Sequence, residues 1–118
     1  MIDFEQGAIV LVDLTFSNHQ KFKMRPALIV SSSENNRHSR DVIVMKITSK
    51  EPPRWGVSVM NEDLSHGSLD YASFVQVDGI YSLETTTIRN VIGKVSQEKM
   101  HEIHVQIAQL FGLNPIIS

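Results

Sequence analysis

Residues 19–49, with the sequence HQKFKMRPALIVSSSENNRHSRDVIVMKITS, contain two β-type segments joined by a polar stretch. The segments Pro26–Ser32 and Asp41–Thr48 are rich in branched aliphatic residues, which favour strands. Proline is compatible with the first position of a strand, because that residue need not donate a ladder hydrogen bond. Arg25 precedes the first segment and Thr48 closes the second, so an arginine and a hydroxyl lie at predicted strand ends. Strand ends commonly carry binding and catalytic residues.

The remainder of the chain predicts further short strands. Runs of aliphatic and β-branched residues bounded by turn residues occur at Ala8–Leu14, Trp55–Met60 and Thr86–Val95. Residues 72–77 and 80–83 also favour strand, and Asp78-Gly79 between them predicts either a hairpin turn or a sharply bent strand. Polar composition predicts loops over Thr15–Met24, Ser33–Arg40 and Asn61–Leu69.

One helix is predicted near the C-terminal end. Ser96 is a suitable N-cap and Gly112 a suitable stop. Apolar residues recur between them at helical spacing, at Met100, Ile103, Ile107, Leu110 and Phe111. Six or seven short strands followed by one helix predict a mainly β fold, a small barrel with the helix packed on it, in a single domain over residues 1–118.

Composition excludes several classes of site. The chain has 118 residues, of which 42% are hydrophobic and 20% charged, and it has no cysteine. It therefore has no disulfide framework, no thiolate metal site and no cysteine nucleophile. No apolar run approaches the roughly 20 residues of a membrane span, and the start Met1–Glu5 lacks the pattern of a secretory signal. We expect a cytoplasmic protein without membrane association.

The charges are distributed unevenly along the chain. Residues 15–56 carry eight basic and three acidic side chains, whereas the whole chain has a net charge of −2. One interpretation is an ordinary solvated surface that happens to be basic. The other is a face that binds a polyanion, opposite an acidic remainder. Charge alone leaves both open.

Arg25 and Thr48 form the most informative polar pair. Antiparallel pairing of the two segments brings the start of the first close to the end of the second. A guanidinium beside a hydroxyl suits a phosphate, because the planar fork donates two hydrogen bonds and the hydroxyl donates one more. The alternative is an ion pair between Arg25 and one of the many carboxylates.

Two other features have simpler interpretations. His101-Glu102-Ile103-His104 has its histidines three positions apart, not four as in the zincin motif, so helix-surface or partly packed residues are favoured over a metal site. Phe22, in the basic loop, either pins that loop to the core or stacks on a base.

Four segments in order resemble the MazF/PemK family of toxin–antitoxin endoribonucleases. They are Gly7–Leu14, Arg25–Ser32, Val42–Ser49 and Ile92–Ser96, within a resemblance that extends from about Gly7 to Leu113. No single segment is specific, whereas four at compatible spacing are. The resemblance implies an SH3-like barrel with a C-terminal helix, as in MazF, Kid and CcdB. It also implies a homodimer, an antitoxin whose acidic tail covers the basic face, and DNA binding together with that antitoxin.

The resemblance further implies metal-independent cleavage of single-stranded RNA, without a cofactor, to a 2′,3′-cyclic phosphate and a 5′-hydroxyl. The family's catalytic arginine matches Arg25 and its catalytic threonine matches Thr48. Many members have an acidic residue five positions before the arginine, where this chain has Gln20. The adjacent residue is His19, and because an imidazole ordinarily has a pKa close to neutral, we take His19 as the hypothetical general base. Candidate substrate-binding residues are Lys21, Phe22, Lys23, Ser49, Lys50, Asp78 and Tyr81.

A competing class is a non-catalytic relative. Related barrels act by binding a protein, as gyrase-poisoning toxins do, and a chain that lacks the acidic base could be such a binder or an inactive nuclease. Arg25 together with Thr48 favours the nuclease, because a protein binder does not need both.

Overall fold

The computed structural model describes residues 3–14 and 23–113. This part of the chain forms seven strands, namely β1 (Ala8–Leu14), β2 (Lys23–Ile29), β3 (Asp41–Thr48), β4 (Gly56–Val59), β5 (Leu64–Gly67), β6 (Ser73–Glu84) and β7 (Ile88–Val95). It also forms two α-helices, α1 (Ser33–Arg37) and α2 (Gln97–Leu110), and single 3₁₀ turns at Asn61–Asp63 and Thr85–Thr87.

The strands make one antiparallel sheet in the order β4-β6-β3-β2-β1-β7-β5. The sheet curls into a half-barrel whose edge strands, β4 and β5, are each paired on one side only within the described residues. The prediction of a mainly β, barrel-like fold with a C-terminal helix is confirmed. None of the helices in the described ranges is long and apolar enough to cross a membrane.

Both faces of the central strands are covered, which explains their almost continuous aliphatic sequences. One core cluster lies between the curled sheet and α2, and it includes Ile9, Leu28, Met45, Val75 and Ile103. The second cluster lies on the opposite face of the sheet, around Val10, Val12, Ile29 and Val44. Residues of the second cluster are small or β-branched, so this face packs closely.

Helix α2 starts and ends where the sequence predicts. The Ser96 hydroxyl accepts a hydrogen bond from the backbone N–H of Lys99 at 3.1 Å, which satisfies one of the donors left unpaired in the first turn. Met100 and Ile103 are its buried residues and face the first cluster. The helix therefore closes the open side of the half-barrel near β4 and β6.

Two stretches predicted as loops contain regular structure. Residues 33–40 include the short helix α1, which Ser32 caps through a 3.1 Å hydrogen bond from the Asn35 N–H. Asn36 is buried there and donates to the Phe4 carbonyl at 2.8 Å, so a polar residue stabilises the helix through a distant segment. The prediction failed because composition does not show such a partner.

The second corrected stretch is Asn61–Leu69, which contains strand β5. This strand pairs with β7, where Gly67 lies opposite Gly93. The polar, turn-forming composition of β5 gives no strand signal, and its backbone is extended because β7 offers unpaired hydrogen-bonding groups.

The hairpin alternative around Asp78-Gly79 is wrong, and the bent-strand alternative is right. β6 is continuous from Ser73 to Glu84. Its pairing with β3 shifts between Met45 and Ile47, since Met45 lies opposite Ile80 and Ile47 lies opposite Val75. The surplus residues of β6 between these pairs form a bulge that bends the strand, and Asp78-Gly79 lies in it.

β2 also begins earlier than predicted, at Lys23 rather than Pro26. Its first residues pair with the end of β1, where Val12 lies opposite Arg25 and Leu14 opposite Lys23. Arg25 is therefore inside a strand, and its position is fixed by the β1 ladder.

Candidate functional site

An open cleft of about 580 Å³ lies where β2 begins and β3 ends. Its size is in the range of small-molecule sites. Apolar and polar side chains from several elements together form its walls. The lining residues are Leu11, Met24, Arg25, Pro26, Lys46, Ile47, Thr48, Ser49, Lys50, Leu69, Asp70, Tyr71, Ser73, Gln76, Tyr81 and Ile92.

The β2–β3 register brings Arg25 and Thr48 together. The ladder pairs Ala27 with Lys46 and Ile29 with Val44. The ladder ends at the Ala27–Lys46 pair, and the same register continued two residues toward the start of β2 would set Arg25 opposite Thr48. Opposite residues of an antiparallel pair share a face of the sheet, and both of these side chains are half-buried and line the cleft. The structure thus places the arginine and the hydroxyl in one site.

The Thr48 hydroxyl is oriented by the chain that follows it. Its oxygen accepts a hydrogen bond from the backbone N–H of Lys50 at 3.3 Å. A hydroxyl that accepts in this way keeps its own proton to donate, so Thr48 can donate to an oxygen atom of a bound anion. The same turn exposes Ser49 and Lys50 at the edge of the cleft.

Cationic side chains outnumber carboxylates in the cleft. Arg25, Lys46 and Lys50 line it together with one carboxylate, that of Asp70. The ion pairs found among residues 3–14 and 23–113 join Arg89 to Asp13, Lys94 to Glu5, and Lys99 to Asp63 and Glu102. None involves a residue of the cleft, so the ion-pair alternative for Arg25 finds no support in this part of the chain. The cleft is a cationic site suited to phosphate.

Tyr81 borders the cationic group on the same face of the sheet. It lies opposite Val44 in the β3–β6 ladder, and Val44 shares its face with Lys46 and Thr48. Burial raises the pKa of Tyr81 above 10.0, so its hydroxyl remains neutral at physiological pH and can donate or accept hydrogen bonds.

The other residues expected in the site have varied positions. His19, Gln20, Lys21 and Phe22 lie outside the described residues. Lys23 starts β2, Ser49 and Lys50 line the cleft, and Asp78 is exposed in the β6 bulge and is not part of the lining.

Sequence reasoning missed five polar lining residues: Lys46, Asp70, Tyr71, Ser73 and Gln76. Lys46 gave a usable signal, because a single charge within an otherwise apolar strand marks an exposed position. Asp70 and Tyr71 gave none, since the segment that contains them resembles an ordinary turn and reaches the cleft only through tertiary folding.

The histidines of α2 lie away from this cleft. His101 and His104 are both exposed on the helix. Partial burial, and to a lesser degree the charge of His101, lower the pKa of His104. No group of three or more histidine or carboxylate residues able to hold a metal ion is present in residues 3–14 and 23–113.

Comparison with known proteins gives consistent results. Residues 5–111 match the model of a family described as "PemK-like, MazF-like toxin of type II toxin-antitoxin system". The chain is 28% identical over 91 residues to "Endoribonuclease MazF4" of Mycobacterium tuberculosis, a match that covers 75% of this chain and 80% of that protein. It is 25% identical over 114 residues to "Endoribonuclease MazF" of Staphylococcus saprophyticus, with 96% and 95% covered.

A similar fold occurs in a solved structure titled "Endoribonuclease in complex with its cognate antitoxin from Mycobacterial species". The TM-score is 0.77 at 24% sequence identity, and the match covers 97% of this chain and 98% of the other. At this identity the likeness shows the shared fold.

Proposed function

Because the chain belongs to the PemK-like, MazF-like toxin family of type II toxin–antitoxin systems, we propose that it is a sequence-specific endoribonuclease that cleaves single-stranded messenger RNA. The observation that carries this proposal is the cleft that Arg25, Lys46 and Thr48 line together. The curated relatives named as endoribonucleases support the same activity.

The proposed reaction needs no nucleophile from the protein. The ribose 2′-oxygen attacks the adjacent phosphorus while the bond from phosphorus to the 5′-oxygen breaks, which leaves a 2′,3′-cyclic phosphate and a 5′-hydroxyl. The half-buried Arg25 guanidinium neutralises the charge that develops on the phosphorane and protonates the leaving 5′-oxygen, and the Thr48 hydroxyl donates to a non-bridging oxygen. DNA lacks the 2′-hydroxyl and is therefore not cleaved.

His19 is the proposed general base that removes the 2′-hydroxyl proton. It precedes Gln20, an amide without basic character, at the position where related sequences often have an acid. Imidazole titrates close to neutral pH and so can accept this proton. If His19→Ala cleaves RNA at the parent rate from about pH 5 to about pH 9, this role is excluded.

The proposed partner is a cognate antitoxin with an acidic segment. Three cationic side chains in the cleft offer such a segment the same attraction that they offer RNA. A homodimer, DNA binding with the antitoxin and a cytoplasmic location belong to the same proposal. Light scattering of the purified protein tests the dimer.

The test is incubation of the purified protein with a long RNA in EDTA. We expect discrete fragments that end in a cyclic phosphate. Arg25→Ala and Thr48→Val should reduce the cleavage rate by at least about 100-fold, as typical for loss of a group that stabilises developing charge. Thr48→Ser retains the hydroxyl and should remain active.

Arg54→Ala is the matched control, because Arg54 is exposed and does not line the cleft. Its rate should equal that of the parent. Intact RNA at varied pH and with varied sequences would refute the nuclease and favour a protein-binding relative.

A further inference from the structure

Residues 68–72, between β5 and β6, form a segment at one side of the cleft that is held in place by hydrogen bonds. Leu69 is buried at 8% exposure, and its backbone N–H donates to the Asn61 side-chain carbonyl at 2.7 Å. The preceding Ser68 N–H donates to the Ile92 carbonyl at 3.2 Å. The segment is therefore anchored by the 3₁₀ turn on one side and by β7 on the other.

A second anchor follows immediately. The buried Ser73 hydroxyl donates to the Tyr71 carbonyl at 2.8 Å, at the start of β6. Between the two anchors only Asp70, Tyr71 and Ala72 extend into solvent. A short chain fixed at both ends holds its side chains in a narrow range of positions.

The side chains of Asp70 and Tyr71 are exposed, so packing does not account for their presence in this segment. Tyr71 is 71% exposed, although tyrosine is usually intermediate in burial. Asp70 is exposed and makes no ion pair within residues 3–14 and 23–113. Both line the cleft that contains Arg25 and Thr48. An exposed ring and a carboxylate beside a phosphate site suggest contacts with bases.

We infer that Asp70 and Tyr71 recognise the bases that flank the scissile phosphate, with Tyr71 as the stacking surface and Asp70 as a hydrogen-bond acceptor that favours guanine. This inference rests on the proposed function. Stacking on an aromatic ring is the usual way in which proteins hold unpaired RNA bases, and it is insensitive to base identity. Selectivity therefore comes from Asp70.

The preference for guanine follows from hydrogen-bond geometry. A carboxylate only accepts hydrogen bonds, and it has two oxygens side by side. Guanine has two neighbouring donors on its Watson–Crick edge, the N1 and N2 groups, and so can pair with both oxygens. Adenine and cytosine offer one amino group beside an acceptor, and uracil offers one N–H between two carbonyls that repel a carboxylate. The preference is therefore greatest for guanine and least for uracil.

A smaller cleft extends the surface past Asp70. Its volume is about 400 Å³, and it shares Leu11, Asp70 and Ile92 with the main cleft. Ser68 and Asn90 add polar groups to its lining. Asp70 thus lies on the boundary between two adjoining clefts, which suits a residue that contacts one base of a strand passing from one to the other.

The test measures binding separately from cleavage. Fluorescence anisotropy is recorded for the intact protein with uridine hexamers whose 2′-fluoro sugars prevent cleavage. At each central position in turn, the hexamer contains guanine, adenine, cytosine or uracil. We expect guanine at one position to bind roughly 10-fold tighter than uracil, within the range for a bidentate pair. Asp70→Asn replaces one acceptor by a donor and should reduce this ratio to about twofold or less.

Tyr71 is tested with the same oligonucleotides. Tyr71→Ala should weaken binding of all of them by roughly 10-fold, as for loss of one stacked base, while Tyr71→Phe keeps the ring and the affinity. Glu84→Gln, a charge-matched change at an exposed residue outside both clefts, should leave the guanine preference unchanged. Circular dichroism confirms that each variant is folded.

The outcomes separate the two proposals. Base-selective binding that depends on Asp70, without cleavage of natural RNA, would refute the nuclease alone. If the parent and Asp70→Asn both cleave RNA, and their cut sites have the same distribution of bases, the role of Asp70 would be overturned. Absence of binding, or equal binding of all four bases by the parent, would also overturn the inference.

Discussion

At the scale of single residues, the candidate site depends on which face of the sheet each side chain occupies. Side chains of a strand alternate between faces, so Arg25 shares a face with Ala27 and Thr48 shares one with Lys46. The Ala27–Lys46 pair shows that these are the same face. A shift of one residue in the β2–β3 register would place Arg25 on the opposite face from Thr48. The apolar residues of both core clusters prevent that shift, because it would exchange their positions.

Tyr81 gives a prediction about stability at alkaline pH. Its pKa is raised above 10.0 in the folded protein, so the unfolded chain loses the phenolic proton first as pH rises. The free energy of unfolding should be unaffected by Tyr81 below about pH 10 and should decline as pH rises from there toward the raised value. Urea denaturation at about pH 8 and about pH 10.5 measures this decline, which should be smaller in Tyr81→Phe.

Tyr71→Phe is the matched control for that experiment, since it removes the same hydroxyl from an exposed ring. It should lose as much stability as the parent between the two pH values. An equal decline in Tyr81→Phe and the parent would show that burial of Tyr81 does not contribute to the alkaline loss.

At the scale of elements, β5 and β7 approach each other unusually closely. Gly67 lies opposite Gly93 and has a φ of 84°, in the left-handed region that favours glycine. A Cβ atom at Gly67 would collide with the Ile92 carbonyl oxygen and the Gly93 Cα. The two strands can pair at this distance only because neither residue has a side chain, and the segment with Asp70 and Tyr71 begins directly after Gly67.

Gly67→Ala should therefore destabilise the protein by more than about 2 kcal/mol, since the strained backbone angle and the collision both contribute. It should also displace the Asp70–Tyr71 segment and weaken RNA binding. Thermal and urea denaturation measure the first effect, and anisotropy measures the second.

Gly112→Ala isolates the contribution of the backbone angle. Gly112 has a φ of 68°, and an added Cβ there meets no atom within 4 Å. Gly112→Ala should lower the free energy of unfolding by about 1 kcal/mol, the penalty for an L-residue in the left-handed region. Equal losses in the two variants would show that the β5–β7 approach relaxes without cost.

At the scale of the whole molecule, a net charge of −2 coexists with a cationic cleft. Low-dielectric walls concentrate the field of the cleft, so a polyanion is attracted there despite the overall sign. Binding of a single strand that neutralises phosphates should weaken as salt rises, with a logarithmic slope of about 0.7 per phosphate contacted.

Lys46→Gln should reduce that slope by about 0.7, since Lys46 lines the cleft and lies two residues from Thr48 on the same face. Anisotropy of a labelled, non-cleavable RNA across a salt series provides the slopes. Arg37→Gln removes an exposed charge on α1, outside the cleft, and should keep the parent slope. Equal slopes for Lys46→Gln and the parent would mean that Lys46 contacts no phosphate.

The elements whose signals are local could be predicted from the amino-acid sequence. The bounds of β1 and β3 are those predicted, because long aliphatic runs favour strands wherever they lie. The start of α2 is also as predicted, because Ser96 caps it locally. Arg25 and Thr48 could be singled out for the same kind of reason, since a charge and a hydroxyl next to apolar runs are visible without any fold.

The remaining features depend on contacts between segments that are distant in sequence. β5 is a strand because β7 pairs with it, and α1 is ordered because the Asn36 side chain donates a hydrogen bond to the Phe4 carbonyl. Lys46, Asp70 and Tyr71 join Arg25 in one cleft because the sheet curls and the chain after β5 is anchored to Asn61 and Ile92. Such contacts join residues far apart in sequence, and their free energy is gained only after the chain has closed the loops between them. Composition and periodicity reflect local preferences, so they do not predict which distant residues come into contact.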